Sequence, residues 1–336
     1  MRVLVVGPVT PDSMADNLVA SLRDAGHDAA GVSTWPGGGQ LERLGALQSH
    51  VLEAAARRPR LAARRQRRVV EAAEEHRPEL TLVIDHTLSS ALVPQLRAAG
   101  GPVALWFPDA LSAIGRETWL AGAYDALFVT DAELARRYRE LRGLNAHLMP
   151  EGCTPRWHRP PAGVAPGDAG PAVLMLGSVY LSRFELLRRL AAAGVALELR
   201  GGHVSRVVPQ AAWLQAARAG GELARDAKAS AFRRAAVVLN DLGSAEGSHL
   251  NARLFEAAAC GAALVTEWRD GLPDLFEPGR EVHSYRTFDE LVELIETLQS
   301  DPERARAAGD AASARAHAEH TWVHRFDAIV DLLGRG

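Results

Sequence analysis

Two periods of apolar residues alternate along this chain. Short runs dense in aliphatic side chains recur at 2–6, 28–32, 80–85, 102–107, 125–129 and 146–149, then at 172–176, 195–199, 235–239 and 262–265, with a weaker run at 281–284. Continuous apolar runs of this length read as strands buried on both faces, as in a parallel sheet. Between them apolar residues fall at helical spacing. Met14, Leu18 and Leu22 mark a helix over 14–25 that ends before Gly26, and 132–141 repeats the pattern and stops before Gly143. Further helices are expected at 184–193, 208–218, 253–260, 287–299, 302–317 and 322–333. Strands alternating with helices predict an α/β chain with doubly wound parallel sheets. Pro150 through Gly170 holds Pro150, Pro155, Pro160, Pro161 and Pro166, which forbids a continuous element and places a linker there. No repeat of fixed period links the two halves.

Composition narrows the class. At about 150 residues per domain, 336 residues give two domains. The 47% hydrophobic and 24% charged content is that of an ordinary globular protein, so fibrous and disordered classes are excluded. A formal charge of -3 gives no global attraction to nucleic acid or anionic membrane. Two isolated cysteines, Cys153 and Cys260, cannot form a disulfide framework, and a reducing cytoplasm is expected. Val3–Val6 is too short for a signal peptide, and no apolar run approaches the ~20 residues that span a bilayer. Of 38 basic residues only Lys228 is lysine, which reads as coding bias.

In open α/β sheets ligands bind past the carboxyl ends of strands. There the chain places Gly7, Asp85-His86, Pro108-Asp109, Gly177-Ser178 and Asn240-Asp241. The densest segment runs from Glu246 through Ser248, His249, Asn251, Arg253 and Glu256 to Gly261, a Gly/Ser loop entering a helix. Helix N-terminal N–H groups attract phosphate, and Arg253 adds a charge-assisted donor. Glu256, one turn on, is placed to accept from both hydroxyls of a ribose. The plainer alternative is that Glu256 complements the helix dipole and Arg253 is solvated.

The run Arg253-Leu-Phe-Glu-Ala-Ala-Ala-Cys-Gly-Ala-Ala-Leu-Val-Thr266, with Leu272-Pro-Asp-Leu-Phe-Glu-Pro-Gly-Arg-Glu281, resembles the nucleotide-sugar domain of GT-B glycosyltransferases, in the CgeB-like branch of the "group 1" enzymes. Pro150-Glu-Gly-Cys-Thr-Pro-Arg-Trp-His-Arg-Pro160 is similar to the interdomain signature, His320-Thr-Trp-x-x-Arg325 to the terminal helix motif, and Leu176-Gly-Ser-Val-Tyr-Leu-Ser-Arg183 to a Gly-x-x-Tyr-x-x-Arg turn. The resemblance is good over 150–330. Over 1–149 it rests on the strand-helix pattern and Phe107-Pro-Asp109.

The resemblance implies two Rossmann-like domains facing across a cleft, with 1–155 binding acceptor, 160–318 binding a nucleotide-activated sugar, and a helix in 319–336 crossing back to the first domain. It implies sugar transfer from a UDP-, TDP- or GDP-linked donor to the hydroxyl of a small molecule, glycan or protein, with retention and without a metal or other cofactor. Glu256 matches the second glutamate of the Glu-x7-Glu motif and implies a ribose contact. Eight positions earlier stands Ser248, so either Glu246 reaches the donor sugar from a longer loop or Ser248, His249 and Asn251 supply those contacts. Gly177 and Ser178 would approach the diphosphate, with Asn240 beside them, while Arg183 and Arg253 neutralise the leaving group. Asp109 would position or deprotonate the acceptor hydroxyl, with Gly7 and His86 on the acceptor side. Two rivals stand beside this reading: a nucleotide-sugar epimerase, and a non-catalytic nucleotide-binding module.

Two features read as structural. His317, His320 and His324 share a helical spacing that suits zinc, but Thr321 starts a new helix and breaks the shared face. The arginines of Arg57–Arg68, followed by Glu71, Glu74 and Glu75, read as a solvated helix ahead of an anion-binding surface. Trp35 with Gly37–Gly39 is a candidate acceptor loop.

Overall fold

The computed structural model describes residues 1–33, 59–84, 88, 91–108, 124–167, 170, 172–243 and 247–334. The chain divides into two compact units, Met1–Pro150 with Trp322–Gly336, and Glu151–Thr321.

The first unit holds β1 (Arg2–Val6), α1 (Met14–Asp24), β2 (Asp28–Val32), α2 (Pro59–His76), β3 (Leu80–Val83), α3 (Leu92–Ala99), β4 (Val103–Phe107), β5 (Ala126–Val129), α4 (Ala132–Arg142) and β6 (Ala146–Leu148). Its sheet is parallel throughout, in the order β2-β1-β3-β4-β5-β6. β4 and β5 are buried along their whole length, which is why their sequences do not alternate. Local signals set the helix ends. Asp131 Oδ1 accepts from Leu134 N at 2.8 Å to start α4, and Gly143 ends it in the left-handed region at φ +63°. The C-terminal helix, α11 (Trp322–Gly334), belongs to this unit and packs on α1. Its Trp322, Phe326 and Ile329 join a core cluster with Val3, Val5, Leu18 and Trp106. The Trp106 and Trp322 rings meet edge to face, with centroids 5.5 Å apart.

The second unit holds β7 (Val173–Leu176), α5 (Leu181–Ala192), β8 (Leu197–Arg200), α6 (Ala212–Ala217), α7 (Arg225–Arg234), β9 (Val237–Asn240), α8 (Ala252–Ala259), β10 (Leu264–Glu267), β11 (His283–Tyr285), α9 (Phe288–Ser300) and α10 (Pro302–Glu319), followed by α11 (Trp322–Gly334) of the first unit. The sheet is again parallel, in the order β11-β10-β9-β7-β8. Core clusters built around Phe232, Leu254 and Phe255, and around Met175, Leu187 and Ile295, use alternate side chains of β7 and β9. This is the two-domain, doubly wound α/β architecture that the residue pattern predicts.

Three differences from the sequence reading have physical causes. Helices α3 and α7 were not expected. α3 has eight residues with Pro94 in its first turn, and α7 is polar, with only Ala229 and Phe232 as buried apolar anchors. The segment read as a linker is fixed from Cys153 to His158: Cys153 N donates to His320 O at 2.9 Å, and Thr154 and His158 are fully buried. α6 is shorter than 208–218 because Pro209 stands before it.

Of the features read as structural, Arg64, Arg67 and Arg68 are exposed on α2 while Val69 and Ala73 face the core. α10 ends at Glu319 and α11 begins at Trp322. His317 Nε2 donates to Ala259 O at 3.1 Å and His320 Nε2 to Leu275 O at 2.6 Å, so both imidazoles serve the fold. Trp35 and Gly37–Gly39 lie outside the described residues.

Candidate functional site

In the second unit the chain goes from β7 to β8 on one side and then to β9 on the other, so the strand order reverses between β7 and β9. Connections leaving in opposite directions at such a point open a crevice past the strand ends. A cavity of about 390 Å3 lies there, with Gly177, Ser178 and Arg183 contributed after β7, Gly201 and Gly202 after β8, Lys228 and Phe232 by α7, and Asn251, Arg253 and Glu256 by the start of α8.

Gly177 ends β7 at φ +119°, a conformation that side chains resist. A Cβ there would stand 2.7 Å from Arg253 Nη2 and 3.7 Å from Arg183 Nη1, so two guanidinium groups approach the bare backbone. Gly202, at φ +62°, packs against the Ser178 backbone, where a Cβ would collide. Ser178 Oγ accepts from His203 N at 3.3 Å, which ties the turns after β7 and β8 together.

The two arginines differ. Arg183 is buried, and three of its five N–H donors are used within the protein: Nε on Asp241 Oδ2 at 2.7 Å, Nη2 on Asp241 O at 2.7 Å and Nη1 on Ser178 O at 2.6 Å. Arg253 Nη1 donates to the neutral Asn240 Oδ1 at 3.3 Å, and Asn240 Nδ2 donates to Thr266 Oγ1 at 3.2 Å.

Asn251 is the N-cap of α8, its Oδ1 accepting from Leu254 N at 3.3 Å. From that cap the helix carries Arg253 and Glu256 toward the cavity, one turn apart. Glu256 is buried; Lys228 Nζ stands 2.9 Å from its Oε2, while His158 Nε2 is 3.8 Å from Oε1, beyond hydrogen-bonding distance.

Of the residues singled out in the sequence, Gly177, Ser178, Arg183, Asn251, Arg253 and Glu256 line one cavity. Asn240 stands behind Arg253 and does not line it. Ser248 and His249 lie in the turn before α8 and are not among the residues that line the cavity. Gly7 is buried in the first unit, its N–H donating to Val32 O at 3.1 Å. His86, Asp109 and Glu246 lie outside the described residues. Sequence reasoning gave Lys228 no role and named Asp241 only as a strand-end residue beside Asn240, without its pairing to Arg183. The one signal for Lys228 was that it is the sole lysine.

Residues 183–331 match the family described as "Glycosyl transferase-like". No curated protein matches the chain. Among solved structures, the sucrose-phosphate synthase of Thermosynechococcus elongatus is similar over 100% of this chain and 99% of its own, at 16% identity and a TM-score of 0.65. Anabaena Alr3699/HepE in complex with UDP-glucose is similar over 99% of each chain, at 14% identity and a TM-score of 0.65. AviGT4, a glycosyltransferase involved in avilamycin A biosynthesis, is similar over 99% of this chain and 97% of its own, at 15% identity and a TM-score of 0.59.

Proposed function

We propose that this chain, a glycosyl-transferring transferase (EC 2.4) on the GT-B fold, moves a sugar from a nucleoside-diphosphate sugar to an acceptor hydroxyl. The observation that carries the reading is one cavity at the β7/β9 reversal holding a bare backbone turn at Gly177, the guanidinium of Arg253 and the buried carboxylate of Glu256. A diphosphate suits the first two and a ribose the third. The Anabaena protein's structures with UDP and with UDP-glucose support a donor of this class.

In the reaction the bond between the anomeric carbon and the β-phosphate oxygen breaks, the acceptor oxygen bonds to that carbon, and negative charge builds on the departing diphosphate. Arg253 and the N-terminus of α8 stabilise that charge in place of a metal ion. Arg183 acts on the same turn as a positioning residue, since Asp241 already matches its charge. We assign retention, with the departing diphosphate taking the acceptor proton on the same face. Asp109 orients the acceptor hydroxyl, with Gly7 and His86 on the acceptor side, and Glu246, Ser248 and His249 are assigned to the donor sugar. No cofactor enters this scheme. We place the chain in the CgeB-like branch and in the cytoplasm. Both cysteines are buried and unbridged, which agrees with a reducing location.

The test is a thermal-shift screen of the purified chain against UDP, GDP, TDP and their sugar conjugates, followed by product analysis. A ligand that binds only the folded state raises the melting temperature by mass action. The expected result is a shift with one diphosphate that Glu256→Ala abolishes, together with loss of most transfer activity. Wild-type kinetics in Glu256→Ala with every donor would overturn the assignment. Ser248 standing where the motif has glutamate favours one second reading, a nucleotide-binding module, which predicts a shift but no product.

A further inference from the structure

Behind the turn that ends β7 stands a histidine that the donor scheme leaves unused. Ser178 lines the cavity, one residue past the bare backbone of Gly177. Its Oγ lies 3.2 Å from His203 Nδ1 and also accepts from His203 N at 3.3 Å, so one residue of the turn after β8 holds this hydroxyl at two points. Backbone bonds fix the two turns against each other: Val179 N donates to His203 O at 3.0 Å and Ser205 N to Val179 O at 2.9 Å. The Tyr180 ring meets the imidazole edge to face, with centroids 5.6 Å apart. His203 is exposed and does not itself line the cavity, and its Nε2 has no hydrogen bond among the described residues.

We infer that His203 is a positioning residue for the donor: it takes up a proton as the diphosphate binds and acts through Ser178, whose hydroxyl hydrogen it turns from the ring to a phosphate oxygen. This rests on the nucleotide-donor reading above and adds a residue to it. In the neutral ring, with its hydrogen assigned to Nε2, Nδ1 is an acceptor and takes the Ser178 hydrogen, so the hydroxyl offers the cavity only a lone pair. In the imidazolium both nitrogens donate. Nδ1–H then turns to Oγ, and the Ser178 hydrogen is released toward the cavity beside Gly177. The charged groups around the ring set the balance. Arg183, with Nη1 on Ser178 O, and Arg200 and Arg206 along the chain on either side oppose a further positive charge, while Glu222, packed on Gly201, favours it. A diphosphate adds negative charge to that field. A ligand that favours the protonated ring is itself bound more tightly when the ring is protonated, because the coupling is reciprocal.

The experiment is calorimetric titration of the wild type, His203→Gln and Ser178→Ala with UDP-, GDP-, TDP- and ADP-glucose. Both phosphates of these probes are esterified, so they lack the ionisation near pH 6 of a terminal phosphate. Runs between pH 5.5 and pH 8, in buffers of two different ionisation enthalpies, read the affinity and the protons bound per nucleotide. The wild type is expected to bind its preferred donor about fivefold more tightly at the lower pH, and to take up a proton around pH 6.5, where an imidazole titrates. His203→Gln keeps a side-chain amide beside the hydroxyl but cannot titrate, and it is expected to lose the uptake and most of the pH dependence. Ser178→Ala keeps the imidazole and is expected to lose most of the uptake. His158, 3.8 Å from Glu256, is a second imidazole near the site, and its contribution is common to all three proteins. A histidine that serves only the fold would lower the melting temperature in His203→Gln and leave the pH dependence of binding at the wild-type value, and that result overturns the inference. Undiminished uptake in Ser178→Ala overturns the route through the hydroxyl. A wild type that binds donor without taking up a proton anywhere in this range overturns it with no variant needed. If none of the four donors binds the wild type, the nucleotide-donor reading falls and this inference with it; if one binds and the uptake is indifferent to His203, only this inference falls.

Discussion

Arg183 holds Asp241 at two points, its Nε on the carboxylate and its Nη2 on the backbone carbonyl, both at 2.7 Å. Through Nη1 it also holds Ser178 O, so one buried guanidinium ties the end of β9 to the turn after β7. Asp241→Ala leaves that cation buried without its carboxylate, and a loss of about 3–5 kcal/mol in urea unfolding is expected. Nucleotide affinity should fall as well. A variant with wild-type stability would show that the pair contributes nothing net.

Gly177→Ala tests the close approach of the backbone. The φ of +119° costs on the order of 1–2 kcal/mol for a residue with a Cβ, and the added methyl meets Arg253 Nη2 at 2.7 Å. A modest drop in melting temperature is expected, with at least tenfold weaker diphosphate binding. Unchanged binding by calorimetry would place the diphosphate elsewhere.

Asn251 separates capping from ligand contact, because it both caps α8 and lines the cavity. Asn251→Asp keeps the cap but brings a negative charge to the helix N-terminus beside the cavity. Asn251→Ala removes the cap at about 1 kcal/mol. Circular-dichroism melts should show the alanine variant destabilised and the aspartate variant not, while nucleotide titration should show the aspartate variant weakened.

Trp322→Ala empties a fully buried site in the core of the first unit, where a loss of about 3–5 kcal/mol is expected. The cavity at the β7/β9 reversal is lined wholly by residues of the second unit. The variant's calorimetric affinity for diphosphate, measured below its melting temperature, should therefore stay at the wild-type value.

His283 on β11 supplies a pH test. Burial, and then the nearby Arg304 charge, push its pKa below the ordinary value, and its Nε2 is buried without a hydrogen-bond partner among the described residues. The folded state resists the proton more than the unfolded chain does. Its contribution is therefore complete above the unfolded pKa of about 6.5 and is lost as pH falls through the lower folded value. The melting-temperature decrease between pH 7 and pH 5 should be smaller in His283→Leu than in the wild type. An identical decrease would assign that sensitivity to other groups.

The parallel sheets were legible in the sequence because their strands are buried on both faces and read as unbroken apolar runs; β4 and β5 are examples. Glu256 and Arg253 were legible because a loop running into a helix at a strand end is a local pattern. What spacing cannot show is which distant groups meet. Asp241 lies 58 positions from Arg183, and nothing local joins them. Lys228 was hidden twice, on a helix too polar to show a clear period and behind an arginine-rich composition. Asn251 was read for its ligand chemistry, and it also caps the helix, a role its place before Ala252 permitted from the start.

The first unit is discontinuous: the chain leaves it at Pro150 and rejoins it only at Trp322. On the ribosome, where segments fold as they emerge, this inverts the usual order of maturation. The second unit is continuous and has all its residues once Thr321 has been made. The first, though its strands emerge earlier, waits for α11 with the Trp106 side of its sheet missing Trp322, Phe326 and Ile329. The part of the chain synthesised first is thus the last to close its core, and that interval is when its apolar face is most open to aggregation or to a chaperone.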